Sequence, residues 1–204
     1  MWTHANALWG ARINAVHEDL QASDVHLVHL PLFHTNAQAY SVLATLWAGG
    51  TAVVVPRFSA SRFWAVSLRH RCTWVSMIPF CIKALMAHEV PPHQYRLWGA
   101  AANDLPTDPH FRVKTMGWWG MTETITHGIV TDLHLPSPSL AIGRPAPEYE
   151  IAIVDDDTVP KRDARAAQPG ESGQLLIRGV RGLSLFHEYL ANPRATAAST
   201  ASSR

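Results

Sequence analysis

Cysteine is nearly absent from this sequence: Cys72 and Cys81 are the only two among 204 residues. Neither sits in a Cys-x-x-Cys pair and both flank apolar runs, which argues against a disulfide framework and for buried, reduced thiols in a cytoplasmic protein. No run of about 18 or more apolar residues occurs, so no transmembrane helix is expected. The start, Met1 to Asn6, lacks a charged segment followed by an apolar core and does not read as a signal peptide. Neither sign of charge is in excess: 17 Lys and Arg stand against 16 Asp and Glu. That balance gives no electrostatic reason for a nucleic-acid partner or an anionic membrane. There is no internal repeat. Histidine is plentiful, and His26, His29 and His34 fall close together, but their spacing matches no zinc pattern and no cysteine or carboxylate cluster joins them. Asp155-Asp156-Asp157 lacks the spaced ligands of a calcium loop and reads as a solvated turn.

What remains is an ordinary globular chain, long enough for one domain or slightly more. Thr3 is a good N-cap, and Trp9, Ile13, Val16 and Leu20 recur at helical spacing, so residues 4–20 read as an amphipathic helix. Strands follow at 25–30 and 51–55, with a helix over 37–48 between them that stops at Gly49-Gly50. The β-branched run 51–55 reads as a strand covered on both faces. Ser59 or Ser61 caps a helix through His70. Strand-like runs at 73–76 and 95–98 flank a helix that begins at Pro79 and ends near His88. This alternation predicts an α/β fold with a mostly parallel sheet flanked by helices. Ligands in such sheets sit beyond the carboxyl ends of the strands.

Two segments fall at such ends. Gly99-Ala100-Ala101 follows one strand. The other is Gly117-Trp118-Trp119-Gly120-Met121-Thr122-Glu123-Thr124, after an apolar run from Phe111 to Met116 that reads as a buried strand. An aromatic face can stack on a base, a threonine hydroxyl can donate to a phosphate oxygen, and a glutamate can bind a hard cation such as Mg²⁺. Between the two segments, residues 103–109 are too short and proline-rich for a full helix. Past Pro138 the composition becomes β-rich, with strands at 150–154 and 174–177 and a polar loop over 158–170.

Trp119-Gly120-Met121-Thr122-Glu123 resembles the Tyr-Gly-x-Thr-Glu motif of the adenylate-forming superfamily, which includes acyl-CoA synthetases, luciferases and adenylation domains of peptide synthetases. Leu30 to His34, Gly99 to Ala101, Ile142 to Pro145 and Gly173 to Gly179 follow that family's order, and the resemblance runs from about Thr3 to Thr196. It implies an incomplete adenylate-forming large domain: an α/β part over 1–135, a β-barrel-like subdomain over 136–192, and a disordered tail over 193–204. The family's Gly/Ser/Thr-rich phosphate loop, ribose-binding aspartate and lysine-bearing mobile domain are not in the sequence. Another chain supplying them is one possibility the sequence leaves open.

By the same resemblance, ATP and a carboxylic acid would give an acyl-adenylate, and coenzyme A would then displace AMP. Trp119 would stack on adenine, Thr122 would contact the α-phosphate and Glu123 would hold Mg²⁺. Gly99, Ala100, Ala101, Gly120 and Met121 would complete the AMP site. His34, Trp118 and Gly120 would line the acyl pocket, with Gly120 leaving room for an acid larger than acetate. Wider similarity points to the fatty-acid or crotonobetaine/carnitine-CoA ligase branch. Plainer readings stand beside these: a core tryptophan, a Thr-Glu helix cap, an ordinary glycine turn, a core histidine. At the level of the chain, the alternatives are a ligase fragment inactive alone, a non-catalytic adenylate-binding remnant, and a scaffold using its tryptophans for a partner. A sheet without the family's preceding segments is expected to expose apolar surface and to associate.

Overall fold

A computed structural model describes residues 1–155 and 165–200. Helix α1 (His4–His17) opens with a reciprocal cap: the Asn6 amide donates to Thr3 Oγ1, and the Thr3 amide donates to Asn6 Oδ1. It stops three residues short of the expected end because Asp19 turns to φ 48°, which no helix continues.

The strands are β1 (Val25–Val28), β2 (Thr51–Val54), β3 (Trp74–Ser76), β4 (Leu97–Ala100), β5 (Lys114–Gly120), β6 (His127–Val130) and β7 (Arg144–Pro145), and they form one sheet in the order β2-β1-β3-β4-β5-β6-β7. From β2 to β5 every pairing is parallel; β6 and β7 run antiparallel. Helices α3 (Ala60–His70) and α4 (Pro79–Leu85) make the crossovers beside β3. The mostly parallel α/β sheet expected from the alternation is the fold. The period-two alternation sorts its side chains. Val75 and Trp98 enter one core with Phe63, Trp64 and Phe111. Trp74 and Leu97 enter the other with Met116 and Tyr149.

Several expectations need correction. The helix expected over 37–48 starts as a wide π-type turn, Asn36–Leu43, and tightens into α2 (Ala44–Trp47). Ser41 Oγ donates to the Asn36 carbonyl five residues back, at 3.0 Å, which suits the wider turn. Strand β2 is not covered on both faces. It is the sheet edge, paired with β1 alone, and Val54 is exposed. Ser59 occupies the N-cap of α3, yet its hydroxyl meets Ser61 Oγ rather than a backbone amide of the first turn. The run Phe111 to Met116 is not one strand: Phe111 ends the single turn α5 (Asp108–Phe111), Arg112 reverses at φ 53°, and β5 begins at Lys114. The proline-rich segment before it therefore holds no full helix, as expected.

Within the stretch expected as a barrel-like subdomain, β7 instead extends the large sheet, while β8 (Glu150–Val154) and β9 (Gln174–Arg178) pair as a separate antiparallel ribbon. Asp155 begins the loop between them and bonds Arg165 through both backbone and side chain; the rest of the expected aspartate turn lies outside the described residues. Residues 193–199, expected to be disordered, form α6 (Pro193–Ser199), because Asn192 Oδ1 accepts from the Ala195 amide and Pro193 starts the first turn. Residues 201–204 of that tail lie outside the described residues. Cys72 and Cys81 are buried and free.

Candidate nucleotide and cation site

The site is built at the carboxyl end of β5, where the sheet changes from parallel to antiparallel. Neighbouring residues on a strand face opposite sides, so Trp118 and Trp119 part company. Trp118 turns into the core. It stacks on Trp74, with centroids 5.7 Å apart and planes 7° apart, and on His127 at 4.5 Å and 21°. Its ring also covers the α-carbon of Gly99, where a Cβ would fall inside the indole. Trp119 turns the other way and lies over Gly128, whose added Cβ would meet the indole at 3.4 Å. Among the described residues no aromatic ring stacks on Trp119, so the surface over Gly128 backs one side of a half-exposed indole.

The chain then turns tightly. The amides of Thr124 and Ile125 both donate to the Met121 carbonyl, and Thr124 Oγ1 lies 2.9 Å from the Thr126 carbonyl. Ile125 sits at φ 59°, a strained value for a β-branched residue, with its side chain fully buried. The Tyr149 hydroxyl reaches under this turn, 2.6 Å from the Thr124 carbonyl and 2.6 Å from Thr126 Oγ1. The turn thus holds Thr122 and Glu123 outward on a fixed base.

Thr122 is exposed; its hydroxyl accepts from Thr35 Oγ1 at 3.2 Å and its carbonyl accepts from Trp2 Nε1 at 3.0 Å. Glu123 is half-buried; Oε1 accepts from the Tyr189 hydroxyl at 2.6 Å, and its carbonyl accepts from the Phe186 amide at 2.7 Å. A hard cation of Mg²⁺ type takes one or two carboxylates and completes its shell with water and phosphate oxygens. Glu123 has one oxygen open to such a role: Oε2 has no hydrogen-bond partner among the described residues.

The structure gathers Trp119, Gly120, Met121, Thr122 and Glu123 at one strand end and separates them from other expected members. Gly99 and Ala100 are not free to line a ligand: both lie within β4, buried, with Gly99 under Trp118 and its carbonyl accepting from Met77. Only Ala101, just past the strand, is exposed. His34 is exposed and its ring meets Phe33; the rings around Trp118 are those of Trp74, Tyr40 and His127. It reaches the site only through its neighbour Thr35. Gly120 does not leave open room. A Cβ there would collide with the Tyr40 hydroxyl and come within 2.8 Å of the Thr126 carbonyl. Of the three grouped histidines, His26 bonds Thr45 and His29 packs on Phe58 and Phe63, so they do not converge.

Sequence reasoning gave no site role to Trp2, Thr35, Tyr40, Tyr149 or Tyr189, because each comes from a distant segment. No helix among the described residues is long and apolar enough to cross a membrane.

The family model for an AMP-binding enzyme matches residues 1–190. The crotonobetaine/carnitine–CoA ligase of Shigella flexneri serotype 5b is 34% identical over 209 residues, covering 96% of this chain and 39% of that protein. The chain therefore spans about two fifths of the length of the curated relatives it matches. Among solved structures, a benzoate CoA ligase from Burkholderia xenovorans superposes with a TM-score of 0.82 at 24% identity, over 97% of this chain and 41% of that one. O-succinylbenzoate coenzyme A synthetase from Bacillus subtilis, in complex with ATP and magnesium ion, superposes at 0.77 and 23% identity, over 98% and 41%. At these identities the superpositions speak for the fold. With a family model matched over nearly its whole length, and the motif turn at the end of β5, this chain belongs to the AMP-binding enzyme family.

Proposed function

We propose that this chain forms the adenylate-facing part of an AMP-forming acyl-CoA ligase. In that reaction a carboxylate attacks the α-phosphate of ATP, giving an acyl-adenylate and pyrophosphate, and coenzyme A then displaces AMP. One observation carries the reading: a half-exposed indole, an exposed threonine hydroxyl and a half-buried carboxylate converge where β5 ends. The attack brings negative charge onto negative charge, so it needs neutralised phosphates and aligned reactants. Trp119 offers a flat apolar face for adenine, and Thr122 a hydroxyl for an α-phosphate oxygen. Glu123 would hold Mg²⁺, which supplies charge neutralisation at the phosphates when bound.

The names of the curated relatives support an acid larger than acetate. Tyr40 shares control of its size with Gly120, since its hydroxyl fills the space a side chain at 120 would take. Trp118 forms the inner wall and Thr35, next to His34, the rim.

The 204 residues alone are expected to bind the intermediate without making it. Among the described residues, Thr122 and Glu123 are bonded to Trp2, Thr35, Tyr189 and Phe186, and no lysine or arginine is among these partners to neutralise phosphate. Losing one such stabilising group costs a factor of about 100 or more. A non-hydrolysable acyl-sulfamoyl adenosine, titrated by calorimetry, is expected to bind this chain, and Trp119→Ala is expected to weaken it about tenfold, in keeping with about 1–3 kcal/mol for a base stacked on an aromatic ring. ATP–pyrophosphate exchange should stay at the level of Glu123→Ala. Absence of binding, or exchange well above that control, would refute the reading.

A further inference from the structure

We propose that Tyr189 is a positioning residue that holds the Glu123 carboxylate in place for a divalent cation. This rests on the reading of Glu123 as the cation ligand. The phenolic hydroxyl donates to Glu123 Oε1 at 2.6 Å across 66 residues of sequence. The same segment grips the Glu123 backbone, since the Phe186 amide donates to its carbonyl at 2.7 Å. The Phe186 and Tyr189 rings pack together with centroids 4.8 Å apart, and Phe186 is buried. Main chain and side chain of one glutamate are thus fixed by one short stretch.

That stretch is itself anchored. Asn6, fully buried in the first turn of α1, donates through Nδ2 to the carbonyls of Leu183 and Leu185, at 2.7 and 2.8 Å. The His187 amide donates to the Met1 carbonyl, and the Tyr189 amide to Thr196 Oγ1 in α6. The hydroxyl of Tyr189 therefore stands at a defined place, and a long glutamate side chain on a half-exposed turn loses its freedom against it.

The choice of donor matters chemically. A lysine or arginine at this position would orient the carboxylate but also cancel its charge. A phenol orients without neutralising. One carboxylate oxygen is thereby engaged, and the other, in a group that keeps its negative charge, is left to face a cation. Groups that orient a metal ligand in this way change metal affinity about 10- to 100-fold when removed.

The test uses the whole chain, Mn²⁺ as the probe, and three proteins: unaltered, Tyr189→Phe and Glu123→Gln. Phenylalanine keeps the ring against Phe186, so a melting temperature close to the parent's is expected. Mn²⁺ titrations read by electron paramagnetic resonance should show binding to the unaltered chain, about tenfold or more weaker binding to Tyr189→Phe, and loss in Glu123→Gln. Equal affinity of the parent and Tyr189→Phe, with loss in Glu123→Gln, would overturn the positioning role and leave Glu123 as the ligand. Equal behaviour of Glu123→Gln and the parent would overturn the Glu123 reading and this proposal with it.

Discussion

Glu18 and His127 are both fully buried, with Glu18 Oε1 3.7 Å from His127 Nε2, too far for a hydrogen bond of normal strength. Neither side chain has another hydrogen-bond partner among the described residues. Burial raises the Glu18 carboxyl well above its usual range, with Arg96 opposing, and burial lowers the His127 imidazole, with His17 adding to the effect. Both shifts favour the neutral forms, and their contributions to stability have opposite signs with pH. The folded pKa of Glu18 is raised, so its contribution is full below the unfolded value of about 4.3 and is lost as pH rises through the folded value. The folded pKa of His127 is depressed, so its contribution is present above about 6.5 and lost as pH falls. Glu18→Gln is therefore expected to flatten the alkaline limb of the stability curve and leave the acid limb. His127→Gln should do the reverse. Urea midpoints of the three proteins between pH 4 and pH 9 would measure this, and parallel curves for Glu18→Gln and the parent would refute it. Nothing in the sequence marks this pair: the two residues lie in different elements, and either alone reads as a surface group.

Among the elements, those set by apolar spacing were legible. The spacing that included Trp9 and Ile13 announced α1, although Val16 of the same expected stripe is exposed, and the strand-like runs 73–76 and 95–98 announced the central strands. The antiparallel pair β6 and β7 was not, because His127 and Gly128 interrupt the apolar pattern and β7 is only Arg144 and Pro145. The candidate site divides in the same way. Trp119, Thr122 and Glu123 sit in one contiguous motif and could be read directly, whereas Tyr40 and Tyr189 matter only because the fold brings them to it. Element ends were the least legible part. Helix α3 closes at Arg71, whose φ of 54° is left-handed, a place where glycine is at ease and a side chain is strained. Arg71 is exposed and makes no side-chain hydrogen bond among the described residues. Left-handed backbone disfavours an L side chain by about 1–2 kcal/mol, and glycine returns part of that through its freer unfolded chain. Arg71→Gly is expected to stabilise the fold by about 0.5–1 kcal/mol in urea unfolding. A loss of stability would show that the Arg71 side chain makes an interaction that outweighs its backbone.

At the scale of the whole molecule, both helical layers leave large apolar groups in solvent, Phe80 of α4 at 68% and Leu68 of α3 at 43% among them. The core around Trp98 and Phe111 lies beneath α3 and α4. On the other side, α1 and α2 carry large apolar groups into solvent: Leu8 is 60% exposed, Val16 67%, Leu46 60% and Trp47 51%. Val16 and Trp47 also border a cavity of about 680 Å³ whose floor includes Ala15, Leu20 and Val130. Scattered exposed apolar residues are ordinary, but a cluster bordering a cavity is a surface that water covers at a cost. Net charge near zero adds little repulsion between copies. The chain is therefore expected to self-associate through this face, with sedimentation velocity giving a weight-average mass that rises with concentration. Leu46→Glu combined with Trp47→Ser should shift it toward monomer, because both side chains point outward and the change removes apolar area without opening a core. Leu68→Glu on α3, 43% exposed on a different helix, serves as the control and should leave association unchanged. A parent protein that stays monomeric at all concentrations would refute the prediction. Equal effects of the double change and the control would place the contact elsewhere.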